Sequence, residues 1–140
     1  MKIITKNEIR NHIEKNFKYI SMDSIKEVLD NNNIEYKSNL KKAELISLVK
    51  NNGIDLMQFT KYLGFTKKEV KELFMATNNM VKKMEETNFI TRAKGKRINS
   101  QVAGKMIELI MYDIEKIYKI TDAQYNKWLE KNLNKKKTRT

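Results

Sequence analysis

Apolar residues recur along this chain at spacings of three and four, the period of an amphipathic helix. Ile9, Ile13 and Phe17 share one face of a helix running from about Lys6 to Phe17. Ser21 is of the right type to cap a second helix, whose inward stripe is Met22, Ile25, Val28 and Leu29. Asn31, Asn32 and Asn33 end it, because asparagine tolerates the left-handed backbone of helix ends. Leu45, Leu48 and Val49 place a third helix over Lys41 to Asn51. After Gly53, "IDLMQFTKYLG" and "TKKEVKELFMA" are both amphipathic, and "NNMVKKMEETN" follows. Strand-like alternation occurs in "FITRAKGKRIN", which predicts a hairpin turning at Lys94-Gly95.

A long helix is then expected from about Gln101 to Tyr118. Met106, Leu109, Ile110, Ile114 and Ile117 form its stripe, and Ile107, Met111 and Tyr118 widen it. A helix apolar over so much of its girth is central in a core or shared with a second copy, so a homodimer through 102–118 is an alternative. Thr121 caps a last helix bearing Tyr125, Trp128, Leu129 and Leu133, and "NLNKKKTRT" is a basic tail. The expected fold is all-α, a small, mainly α-helical bundle with one short β-hairpin. Four regions are expected: a helix in 1–20, a helical pair in 21–53, a unit in 54–120 ending in the long helix, and a terminal helix and tail in 121–140.

Composition narrows what such a fold does. The 140 residues carry 29 Lys and Arg against 17 Asp and Glu, a formal net charge of +12, so a polyanion is the first partner to consider. The excess is uneven: +3 over 1–20 (5 basic, 2 acidic) and zero over 21–53 (5 and 5). It is +5 over 54–100 (10 and 5) and +4 over 101–140 (9 and 5). Cysteine is absent, which excludes disulfide and thiolate chemistry, and His12 as the one histidine excludes a clustered His/Cys metal site. No cofactor is expected. His12 reads as a surface residue, no Ser or Thr is recognisably paired with a base, and no phosphate-cradling glycine loop occurs, so an enzyme is not expected. With neither a secretory core at the N-terminus nor a long apolar run, the expected location is the cytoplasm of a bacterial host cell, away from membranes.

The stretch "IKEVLDNNNIEYKSNLKKAELISLV" resembles the HeH module, a short relative of the SAP and LEM helix–extended-loop–helix domains. It shares the apolar helix ending at Leu29, the extended Ile34-Glu35-Tyr36, and Lys42-Ala43-Glu44-Leu45-Ile46 opening the second helix. Helices this short are unstable alone, and Ile34 and Tyr36 would close a small core with Leu29, Leu45 and Leu48. The family often has Ser or Thr where Lys41 stands, which leaves Ser38 or Asn39 as alternative caps. The resemblance implies nucleic-acid binding, or protein binding as in LEM members. Lys37, Lys41 and Lys42 at the second helix's N-terminus are the phosphate-binding candidates, against a reading in which they are simply solvated. Glu35-Tyr36-Lys37 after Asp30 also mimics an acidic-x-Lys nuclease signature. That chemistry needs adjacent strands around a metal, and this stretch is an interhelical loop.

"MVKKMEETNFITRAKGKRIN" resembles the end of a winged helix-turn-helix, with Met84-Glu85, Phe89-Ile90 and Arg92 at the pattern's positions and Lys94, Lys96 and Arg97 around the wing tip. The family's usual glycine is Asn88 here, which still adopts positive φ. Two frames are open for the preceding helices. In one, Leu63-Gly64 is the turn and Thr66 begins a long recognition helix containing Lys67, Lys68 and Lys71. In the other, Ala76-Thr77 is the turn, Thr77 caps, and Asn78, Asn79, Lys82 and Lys83 face DNA. Asparagine pairs bidentately with adenine, while the cations contact phosphates. Together the two resemblances imply a small basic protein of phage or mobile-element type that binds duplex DNA, as a regulator of transcription or replication. The alternatives are an anti-CRISPR-like inhibitor directed at a host protein, or a non-enzymatic assembly adaptor.

Overall fold

A computed structural model describes residues 2, 4–93, 97–102 and 105–133, with the backbone alone over 97–102 and 105–108. Its α-helices are α1 (Lys6–Lys15), α2 (Met22–Asn31), α3 (Lys42–Asn51), α4 (Lys67–Phe74), α5 (Asn78–Glu86), α6 (Ile114–Tyr118) and α7 (Asp122–Asn132). Its strands are β1 (Phe65–Thr66), β2 (Arg97–Val102), β3 (Lys105–Leu109) and β4 (Met111–Tyr112). The fold is mainly α-helical, as expected. Among the described residues, no helix is long and apolar enough to cross a membrane.

The helix ends follow local chemistry. Ser21, Thr66, Thr77 and Thr121 each accept a backbone N–H from the first turn of the helix they open, satisfying a donor the helix itself cannot. Asn33, Gly53 and Asn88 have φ of 59°, 60° and 59°, and the apolar residue after each reaches back. Ile34 N–H donates to Leu29 O, Ile54 to Val49 O and Phe89 to Met84 O, at 3.0, 3.2 and 2.9 Å. This is the Schellman arrangement, which satisfies helix carbonyls and folds an apolar residue back onto the core. α4 ends the same way at Met75, φ 51°, with Ala76 N–H donating to Lys71 O at 2.8 Å.

One contiguous core runs through the described chain. Ile9, Ile13, Ile25, Leu29, Leu45, Phe59, Leu63, Val70, Val81, Met84, Ile90 and Ile114 are all fully buried. The extended loop Ile34–Tyr36 packs against this core between α2 and α3, and Leu48 is half-buried. α7 closes the other end. Tyr125 donates its hydroxyl to Phe74 O at 2.8 Å, and Trp128 stacks on Phe89 and donates to Thr87 Oγ1 at 2.9 Å.

The expected helix over 101–118 does not form. β2 and β3 pair antiparallel instead, Arg97 opposite Leu109 and Val102 opposite Lys105, and helix begins only at Ile114, where Asp113 caps it. An apolar run satisfies helix and strand periods alike, and the cap in its middle is what divides it. The helix that would carry a dimerisation surface over 102–118 does not form among the described residues, and Ile110, expected inward, is 45% exposed. The hairpin also differs from the one expected at Lys94-Gly95. β2 pairs with β3 and not with the Phe89–Arg92 segment, and the expected turn at Lys94-Gly95 lies outside the described residues. "IDLMQFTKYLG" gives only a 3-10 turn, Leu56–Phe59, before β1.

β4 lies between two neighbours. Phe65 and Thr66 of β1 pair with Tyr112 and Met111, and on its other edge Arg92 bridges Tyr112. Ala93 N–H donates to Met111 O and Asp113 N–H to Thr91 O, both at 2.8 Å. The chain thus runs β1, α4, α5, the Arg92 segment, the β2–β3 hairpin, and back into the centre of a small sheet.

Candidate nucleic-acid interface

α4 and α5 are joined through Met75, Ala76 and Thr77, which excludes the frame with one long helix from Thr66. The helix boundaries are those of the second frame, with Thr77 as cap. Val81 and Met84 face the core, so Asn78, Asn79, Lys82 and Lys83 are exposed on the opposite side of α5. Asn78, Asn79 and Lys82 line a concave surface of about 920 Å³. Lys67 and Lys68 from the first turn of α4, Lys15 and Asn16 from the end of α1, and Arg92 contribute to the same surface.

Arg92 is not a free cation. Its guanidinium pairs with Glu85, whose second oxygen accepts the Tyr112 hydroxyl at 3.3 Å. Burial and the adjacent carboxylate push the Tyr112 phenol above its ordinary pKa. Among the described residues, Lys15, Lys67, Lys68 and Lys82 make no ion pair. Backbone pairing in β2 includes Arg97, while Lys94 and Lys96 lie outside the described residues.

The wall behind this surface is built around His12, and here the surface expectation is wrong. Its side chain is only 10% exposed. One ring nitrogen meets Glu69 Oε2 at 3.2 Å, the other meets Gly64 O at 3.1 Å, and the ring lies 4.7 Å from that of Phe65. Glu69 in turn takes the Thr66 N–H at 2.8 Å and its hydroxyl at 2.9 Å. Burial raises the Glu69 pKa, but donation from His12 and Thr66 outweighs it and brings the carboxyl down to about 2. A histidine on a helix of mixed polarity gives no sequence sign that its partners stand fifty residues away.

The helical pair α2–α3 presents its lysines differently from one another. Lys37 is exposed in the interhelical loop. Lys41 holds the N-cap position of α3 without a side-chain cap bond, and neither Ser38 nor Asn39 replaces it; Glu44 instead accepts the Lys41 N–H at 3.1 Å. Lys42 turns inward, donates to Lys18 O, and has its pKa lowered by burial. Of the three phosphate-binding candidates, Lys42 is thus committed to holding α3 against the preceding 3-10 turn, Phe17–Tyr19.

The rest of the pair is fastened as firmly. Arg10 of α1 donates to both oxygens of Asp55 at 2.8 and 3.0 Å, and the Asn32 and Gln58 amides exchange hydrogen bonds at 2.7 and 3.3 Å. The Arg10 hydrogen bond, with Met57 N–H, holds the Asp55 carboxyl at about 2. The fold and surface define a basic, mainly helical protein in which a helix–loop–helix pair is seated beside a second helical pair and a small sheet. A family profile described as HeH/LEM domain matches residues 22–51, the α2–α3 pair. No curated protein and no solved structure matches the chain.

Proposed function

We propose that this protein binds duplex DNA through the exposed face of α5 and the concave surface beside it, and that it acts by binding rather than catalysis. The observation that carries the proposal is the pair α4–α5. Two short helices are joined by a three-residue turn, and the second presents Asn78, Asn79, Lys82 and Lys83 outward beside Lys67 and Lys68. This supports a helix-turn-helix reading, in which the N-terminal residues of the second helix contact base edges. The β1–β4–Arg92 sheet, with the β2–β3 hairpin between Arg92 and β4 in the chain, supports a winged form. In this function Asn78 and Asn79 contact bases, while Lys82, Lys83, Lys67 and Lys68 contact phosphates. The HeH/LEM match over α2–α3 agrees with a nucleic-acid ligand. Regulation of transcription or replication in a mobile element is the role that fits such a protein.

Titration against duplex DNA over a range of salt tests the proposal. With about five phosphate contacts, log K should fall against log salt with a slope near −4 to −5. A flat slope, or no binding at about 50 mM salt, overturns it. One observation favours a second role, for the α2–α3 pair alone. Lys42 is turned inward and Glu44 occupies the α3 N-terminus, so this pair is less suited to phosphate than to a protein partner, as in an assembly adaptor or an inhibitor. Loss of DNA binding on replacing Lys37 and Lys41 would exclude that role.

A further inference from the structure

The concave surface that this function assigns to DNA is lined by Glu69, Glu72 and Glu85 as well as by its cations, and Glu85 already holds one of those cations. Glu85 lies on α5, one turn beyond Lys82, and both its oxygens are engaged: one by the Arg92 guanidinium, the other by the Tyr112 hydroxyl. The Arg92 side chain is 58% exposed and that of Glu85 27%, so the cation faces solvent across the groove while its partner is sheltered behind it. The lysines lining the same surface make no ion pair among the described residues, so Arg92 is the groove cation that the fold has already neutralised.

A guanidinium held by a carboxylate is also a donor that a phosphodiester's non-bridging oxygens accept. We propose that Glu85 holds the place of a DNA phosphate in the free protein, and that duplex binding transfers the exposed Arg92 from the carboxylate to the DNA backbone, while the buried Tyr112 keeps its hydroxyl on Glu85. The inference rests on the DNA-binding function and specifies its regulation. The exchange makes the fold charge its own ligand a toll: DNA must displace a partner before it gains the contact. Weakly held polyanions that cannot supply a phosphate at this position are thereby disfavoured relative to a correctly docked duplex.

The test uses the full chain and one duplex. Glu85→Gln keeps the side-chain shape and an acceptor for Tyr112 but removes the charge that holds Arg92. Glu86→Gln, at the next residue, exposed and outside the groove lining, supplies the same change in net charge. Glu85→Gln should bind more tightly than Glu86→Gln by at least about fivefold with the same salt slope, because Arg92 takes a phosphate in both. Adding Arg92→Ala should erase that advantage. Equal affinities for the two glutamine variants, or weaker binding by Glu85→Gln, overturn the inference while leaving DNA binding intact, since Glu85 would then be a latch that positions Arg92. Absence of binding by the wild-type chain and both variants overturns the DNA-binding function and this inference with it. Should Glu85→Gln not fold, the Arg92 Nε–H resonance of the wild-type chain decides. Duplex addition should move it as the carboxylate is released, and an unmoved signal overturns the exchange.

Discussion

Gly64 stands where α1, β1, β4 and the Arg92 segment meet, and replacing it with alanine probes that junction directly. A Cβ built there would lie 2.6 Å from Tyr112 O, 2.7 Å from Met111 Cβ and 2.9 Å from Ala93 Cβ. Those are backbone and first side-chain atoms, which cannot swing aside as the end of a long side chain can. The methyl must therefore push β4 away from β1 or break the bond between His12 and Gly64 O. Overpacking of this kind costs about 1 to 3 kcal/mol, and three immobile contacts put Gly64→Ala near the upper end. Urea unfolding at neutral pH reads the loss as a lower midpoint with an unchanged slope. Gly53→Ala makes the comparison sharp. Its Cβ would meet nothing within 4 Å, so only the φ of +60° opposes it, at about 1 kcal/mol. A Gly64→Ala protein within about 0.5 kcal/mol of wild type, or less affected than Gly53→Ala, would refute the packing described for this junction.

Leu45 is fully buried between α2 and α3, so Leu45→Ala should cost about 2 to 4 kcal/mol, read from the same urea midpoints. Full retention of stability would mean that the helical pair has no core of its own. Glu69 has a folded pKa of about 2 against an ordinary 4.5, so its contribution is complete above about pH 5 and is lost as pH falls toward 2. Glu69→Gln should flatten the fall in stability over that window, and an unchanged pH profile would separate the carboxylate from acid unfolding. Replacing Trp128 by Phe removes the donor to Thr87 Oγ1 while keeping the ring on Phe89, and should cost about 1 kcal/mol by thermal melting. A loss of several kcal/mol would show that the indole's volume, not its hydrogen bond, is what α7 requires.

Much of the helical part was legible because its punctuation is local. Ser21, Thr77 and Thr121 cap where their residue type says they should, and Asn33 and Asn88 take the positive φ that asparagine tolerates. Met75 gave no such sign, being a methionine in a backbone region that favours glycine, left 77% exposed at the turn between α4 and α5. The error over 101–118 has a different origin. Met106 to Tyr112 is apolar at nearly every position, so periodicity carries no information there, and pairing with β1 and Arg92, far off in sequence, decides the outcome. The concave surface divides the same way. Asn78, Asn79 and Lys82 follow from the Thr77 cap, whereas Lys15, Glu85 and Tyr112 enter the surface only through tertiary packing. His12 was misjudged for the same reason.

The opening helix α1 is what makes the two halves one object. One side of it carries Arg10 to Asp55, at the point where the chain returns from the HeH-like pair, and Phe17 just beyond its end meets Phe59 at 4.9 Å between ring centroids. The residues from Asn16 to Ile54 therefore leave and re-enter at neighbouring points, so the pair is held at both ends rather than hung on a linker. His12 of the same helix joins Gly64 and Glu69, and Lys15 and Asn16 at its end form part of the basic groove. A displacement of α1 would thus disturb the seat of α2–α3 and the wall of the groove together. A tethered module would add affinity through effective concentration, with its orientation free. A module fixed by α1 is presented in one geometry only, so any partner that bridged both halves would have to match that geometry.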